Sequence, residues 1–137
     1  MADTVEPASG PEAIVRTYLR LMEARDLDAA TSHLADRVTI VFPGGRTFSS
    51  LTEQVASSAG RFRGVTKTFE RFDVTSSTGD DGAGQDIVYV LGTLQGQALD
   101  GSPFEGVRFI DRFVLEDGLI VSQMVWNDLA ESDVLSR

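Results

Sequence analysis

Between Phe104 and Glu116 the chain reads FEGVRFIDRFVLE. Taking every second residue gives Val107, Phe109, Asp111, Phe113 and Leu115, apolar at every place but one. Alternation with period two marks a strand that buries one face. These five side chains therefore share the buried face, and Asp111 sits in the middle of it. A carboxylate placed there costs several kcal/mol unless it is paired, hydrogen-bonded or protonated. Burial also raises its pKa, which makes an acid useful near neutral pH. The strand thus predicts an apolar pocket with an acid in it.

Composition narrows what the pocket serves. The chain has 137 residues, 42% of them hydrophobic and 24% charged, the balance of one soluble globular domain. It has no cysteine and one histidine, His33. Disulfides, thiolate catalysis and multi-histidine metal sites are excluded, and no metal is expected. A net charge of −9 repels phosphate backbones and anionic lipid, which argues against nucleic acid and membrane as partners. No apolar run approaches the roughly 20 residues that span a bilayer. MADTVEPASG lacks an apolar signal core, and the expected location is the cytoplasm. Residues 1–9 read as a flexible tail, 10–131 as the domain and 132–137 as a C-terminal tail.

The remaining elements follow from local signals. SGPE (Ser9 to Glu12) is a helix start, and Ile14, Val15, Tyr18, Leu19 and Met22 follow at helical spacing. Asp26 caps a shorter helix through Leu27, Ala30 and Leu34. Val38 to Phe42 is a β-branched strand ended by Pro43-Gly44-Gly45. SLTE (Ser50 to Glu53) is a capping box that opens a helix to about Phe62. Thr68 to Thr75 pairs with Asp86 to Gln97, and Glu116-Asp117-Gly118 turns the Phe104 strand into Leu119 to Asp128. The acidic GDDG and EDG runs lack calcium-loop spacing and read as turns. Helices segregate from a contiguous antiparallel sheet, an α+β layout. Three N-terminal helices across a strongly curved sheet would enclose a conical pocket.

This order resembles the nuclear transport factor two superfamily. DLDAATSHLADRVTIVFPGG is similar to its second helix and first strand, and FIDRFVLEDGLIVSQMVWND to its final hairpin. The resemblance runs from Pro11 to about Glu131 and implies a cystatin-like, SnoaL-like cone. The superfamily holds isomerases, dehydratases, epoxide hydrolases, polyketide cyclases, ligand binders and adaptors, so fold alone does not choose a reaction. In its ketosteroid isomerase branch a helix tyrosine and a protonated aspartic acid form the oxyanion hole. VRTYL places Tyr18, and FIDRF places Asp111, on those two. The isomerase's base precedes a proline on the first strand, and that place here is Phe42, which cannot abstract a proton. The two histidines of the scytalone dehydratase pattern are missing. Of the Asp/Arg/Asp set of limonene-epoxide hydrolases, WND offers only Asp128, with Gln95 and Gln97 on the preceding strand. SnoaL-like cyclases use a pocket aspartate as acid/base without a cofactor, a role open to Asp111 or Asp128.

The sequence therefore predicts a cofactor-independent enzyme. It would isomerise, cyclise, dehydrate or hydrolyse a small, apolar, carbonyl-bearing molecule. Asp111 would be the acid or oxyanion donor, Tyr18 the second donor and Asp128 a base. Phe42, Phe62, Phe109, Phe113, Gln123, Trp126 and Asn127 would line the pocket, although alternation leaves open which parity of the last strand faces inward. Asp111 paired structurally to Arg108 or Arg112, and Asp128 capping the C-terminal segment, are the alternatives. Arg61 and Arg63 suit a helix C-terminus. A homodimer through the outer sheet face is expected, since β-branched and aromatic residues would otherwise be exposed there. The alternative function is a non-catalytic ligand-binding or dimerisation module.

Overall fold

The computed structural model describes residues 10–79 and 82–137. The expected 1–9 tail, the Ser9 cap and the Asp80-Asp81 hairpin tip lie outside the described residues. Helix α1 (Pro11–Glu23) begins with proline at its first turn and Glu12 beside its positive end, both favourable there. It buries Ile14, Val15, Tyr18 and Leu19. Helix α2 (Leu27–Thr31) is capped by Asp26, whose carboxylate accepts from the Ala29 N–H at 3.3 Å. Leu34, expected on that helix, instead opens strand β1 (Leu34–Phe42). After the Pro43–Gly45 turn comes β2 (Arg46–Phe48), three residues and too short for a periodic signal. Helix α3 (Leu51–Ala59) has the expected capping box. Ser50 accepts from the Glu53 N–H at 3.2 Å, and the Glu53 carboxylate returns to the Ser49 N–H at 2.9 Å. Phe62, expected at the end of this helix, opens β3 (Phe62–Thr78).

The meander of β3, β4 (Gly84–Ala98), β5 (Pro103–Glu116) and β6 (Leu119–Asn127) is antiparallel throughout. The β5–β6 turn has positive φ at Asp117 and Gly118, as a two-residue hairpin requires. The six strands lie in the order β2-β1-β6-β5-β4-β3. The expectation of a purely antiparallel sheet needs one correction. β1 runs parallel to β6, because the chain crosses over through α3 before the meander folds back to β1. The result is an α+β fold with a curved, open sheet. Its core is the layer between α1 and the inner sheet face, where Val15, Tyr18, Val88, Val90, Phe113 and Ile120 are almost fully buried. Val134, in the 132–137 stretch, is fully buried in that core.

Curvature has a local cause. β3 carries an extra residue between Phe69 and Arg71, and such bulges bend a strand. Opposite the bulge, a Cβ on Gly92 would lie 2.0 Å from the Thr68 carbonyl oxygen and 3.0 Å from the Phe109 ring. Only glycine lets the two backbones approach this closely. Replacing Gly92 with alanine should cost about 2–3 kcal/mol in urea unfolding. Gly64→Ala, whose Cβ meets nothing within 4 Å, should cost less than about 1 kcal/mol. Equal losses would refute the close-approach argument.

Candidate functional site

Asp111 lies on the inner face of β5, as its alternation requires. Phe109 and Phe113 flank it along the strand, and Val90 and Val125 lie opposite it on β4 and β6. It is 0% exposed, and neither carboxylate oxygen has a hydrogen-bond partner among the described residues. Desolvation pushes its pKa up to about 6, against the opposing pull of Lys67 and then of Gln123. The Lys67 ammonium stands 4.0 Å from Oδ2. Gln123 is close enough to favour the charged form but does not reach hydrogen-bond geometry. Arg108 and Arg112, the partners considered from sequence, are engaged elsewhere. Arg108 donates to Asp128 at 2.7 Å and Arg112 to the Tyr89 hydroxyl at 3.3 Å.

Lys67 is the chain's sole lysine. Its strand, β3, is a sheet edge, and an edge leaves backbone groups unpaired. Helix α1 satisfies them here. Glu23 accepts from the Lys67 N–H at 2.7 Å, and Arg20 donates to the Lys67 carbonyl at 3.1 Å. The backbone is thus clamped, and the ammonium reaches 5.1 Å from the centre of the Phe109 ring, a favourable cation–π position. On the other side, Tyr18 donates its hydroxyl to Gln123 Oε1 at 3.5 Å and meets Phe113 edge-on at 6.0 Å. Burial, and secondarily the Asp111 charge, raises the Tyr18 pKa, so its hydroxyl stays protonated.

Lys67 and Gln123 both face an open cavity of about 430 Å³. Leu19, Met22, Phe42, Phe62, Val65 and Val125 form its apolar wall. Of the residues expected to line a pocket, Phe42, Phe62, Gln123 and Asn127 do so. Asp111 and Tyr18 lie directly behind the wall, screened by Lys67 and Gln123. Phe109 and Phe113 are likewise core residues behind it. Trp126 is elsewhere, 48% exposed on the opposite face. The reason is a bulge: β5 residues Val114 and Leu115 face Ser122 and Ile120, leaving Val121 extra. Ile120 points inward, and past the bulge the inward set becomes Gln123, Val125 and Asn127. Asp128 is bound to Arg108, an outer-face residue, and does not line the cavity. The turn after β6 is instead capped by Asn127, which accepts from the Leu129 N–H at 3.1 Å.

Sequence reasoning passed over Lys67, Arg46 and the buried pair Gln54–Ser58, joined at 3.0 Å. Lys67 had one available signal, since it alternates with Val65 and Phe69. Among the described residues no cluster of three His, Asp or Glu side chains could hold a metal ion. No helix among them is long and apolar enough to cross a membrane.

The SnoaL-like domain family matches residues 15–123. No curated protein matches the sequence. Solved structures do. TerC, co-crystallised with polyporic acid, is 19% identical with a TM-score of 0.73, covering 90% of this chain and 96% of TerC. A protein of Shewanella frigidimarina, provisionally called a ketosteroid isomerase, is 23% identical with a TM-score of 0.66, covering 87% and 94%. One from Jannaschia sp. CCS1, provisionally called a SnoaL-like polyketide cyclase, is 19% identical with a TM-score of 0.64 and covers 98% of each chain. At these identities the structures establish a shared fold.

The Asp111 environment has a measurable consequence for stability. Its carboxyl titrates near 6 when folded, against 3.8 ordinarily. Between those values the folded state binds more protons than the unfolded state, so this group's contribution is fully present below the lower value and is lost as pH rises through 6. The loss amounts to about 3 kcal/mol. Asp111→Asn should therefore gain up to about 3 kcal/mol relative to the parent at pH 8 and almost nothing at about pH 3.5. Urea unfolding at both pH values checks this. A gain that does not grow with pH would overturn the assignment.

Proposed function

The chain belongs to the SnoaL-like domain family, and on that premise we propose that it is a cofactor-independent enzyme catalysing proton transfer next to the carbonyl of a small, largely apolar molecule. The observation that carries the proposal is the fully buried Asp111, without a hydrogen-bond partner among the described residues and 4.0 Å from the ammonium of a lysine that faces the cavity. Lys67 and the Gln123 amide would meet the carbonyl oxygen, and Tyr18 would hold Gln123 in orientation. As the α C–H bond breaks and its proton passes to cavity water, Lys67 gives a proton to the oxygen and draws a replacement from Asp111. The enol can then return a proton at another carbon, close a ring or lose water, the step types found within this fold. Asp111 and Tyr18 thus act through the residues in front of them, and Asp128 has no part.

The non-catalytic alternative also has an observation in its favour. No free carboxylate among the described residues lines the cavity. Glu23, the acid in its wall, is taken by Arg20 and the Lys67 N–H, and Phe42 occupies the place of the isomerase base. Deuterium exchange at the α-carbon of 2-tetralone in D2O separates the two. Catalysis predicts accelerated, saturable exchange that falls as pH rises through about 6, the value set by Asp111. Asp111→Asn should lower the rate by about 10²–10⁴-fold and flatten that profile. Saturable binding without exchange would favour the binding module, and an unchanged Asp111→Asn rate would remove Asp111 from the mechanism.

A homodimer through the outer sheet face is part of the same proposal. Ile110 and Trp126 are directly opposed there and are 40% and 48% exposed. Trp126→Asp should shift sedimentation equilibrium from dimer to monomer, and a parent protein that sediments as a monomer would refute it. The cysteine-free composition supports the cytoplasm as the location.

A further inference from the structure

The cavity wall is cationic in an acidic protein. The chain carries a net charge of −9, yet Arg25, Arg46, Arg61, Arg63 and Lys67 all line the cavity, with Glu23 as the acid among them. Ion pairing follows a similar division, with two exceptions: Lys67 faces Asp111, and Arg112, outside the cavity, donates to the Tyr89 hydroxyl rather than to a carboxylate. Arginines 16, 20, 37, 71, 108 and 137 each have a carboxylate partner. Among the described residues, the four cavity arginines have no carboxylate at ion-pair distance, although Arg63 is near enough to Asp100 to help lower its pKa. Leaving them unpaired in a chain with 21 acidic residues is what a site for an external anion requires.

Arg46 is the most built of the four. Its Nη1 donates to Ser57 Oγ at 2.7 Å and its Nε to the Pro43 carbonyl at 3.4 Å. Its guanidinium also lies 5.8 Å from the Phe42 ring centre and 6.0 Å from that of Phe48. These contacts fix the fork and still leave N–H donors unused. Arg61, close by, lowers the Arg46 pKa by charge repulsion, a smaller effect than the desolvation of Arg46 itself. Two like charges held together without a counterion bind an anion more strongly than either alone.

We propose that the cavity selects carboxylate-bearing ligands, with the carboxylate held between Arg46 and Arg61 at the rim and the apolar body against Phe62 and Val65. This rests on the cavity being the ligand site and names the class of molecule it takes. The substrate would then carry an acid group remote from the carbonyl that meets Lys67. Remote binding energy of this kind helps to position the reacting centre.

The test uses two probes of one shape, 2-naphthoate and 2-acetonaphthone, titrated by calorimetry into the full chain. The acid should bind about ten- to a hundredfold more tightly than the ketone, and added salt should erode the difference. In Arg46→Gln and in Arg61→Gln the ratio should collapse toward one, while residual ketone binding reports an intact cavity. Arg61 makes no side-chain hydrogen bond or ion pair among the described residues, so its variant guards against a folding defect at Arg46. Equal binding of both probes, or a ratio unchanged in both variants, would overturn the inference and leave the proposed chemistry standing. Failure of both probes to bind would instead remove the cavity as the ligand site.

Discussion

The site is organised around one uncompensated interaction: the Asp111 carboxylate, shut away from water, faces the Lys67 ammonium at 4.0 Å and has no hydrogen bond among the described residues. Removing a carboxylate from water costs more than one pair at that distance returns, unless its remaining lone pairs are satisfied. The raised pKa is the residue of that imbalance. A structural ion pair would have been built otherwise, with an arginine fork or backbone N–H groups, and its pKa would lie low. The arginines on the same strand were available for this purpose, yet they face the other side of the sheet. What the fold maintains instead is an acid close to neutrality, beside the one lysine in the chain.

Maintaining it requires support from distant parts of the sequence. Lys67 lies on an edge strand, where backbone freedom would let the ammonium wander. The Glu23 and Arg20 contacts from α1 fix both backbone polar groups of that residue. The same helix supplies Tyr18, which holds Gln123 from the opposite side. One helix therefore sets both residues that separate Asp111 from the cavity. The bend at Gly92 brings Phe109 under the lysine stem, so sheet curvature and ion placement are one constraint rather than two.

Local patterns made much of this legible in the sequence. The period-two run of β5 placed Asp111 inward without any knowledge of its neighbours, and the 3.6-residue period of α1 did the same for Tyr18. Capping residues Asp26 and Ser50 located two helix starts. What escaped was non-local. Lys67 is 44 residues from Asp111 in the chain, and only the β3–β4–β5 register brings them together. Trp126 depended on parity, which the extra residue at Val121 reverses, and nothing in LIVSQMVWN marks which residue bulges. Leu34 and Phe62 sit where a helix pattern and a strand pattern both accept an apolar residue, and sheet pairing decided both.

The acidic chain and the cationic cavity form a coupled system. Ligand entry would displace water and lower the dielectric around Lys67 and Gln123, the residues that screen Asp111. Both effects of a bound carboxylate disfavour the Asp111 charge: the lost solvent acts by desolvation, and the added negative charge acts by repulsion. A carboxyl already raised to about 6 would move further upward when the cavity takes such a ligand. Binding an anion would thereby load Asp111 with the proton that the proposed relay through Lys67 consumes. By linkage, the same proton would strengthen anion binding. A cavity lined with neutral polar groups would supply only the desolvation half of this coupling. The arginines of the cavity wall, without an ion pair among the described residues, and the buried carboxylate behind it are therefore best understood as two ends of one electrostatic arrangement.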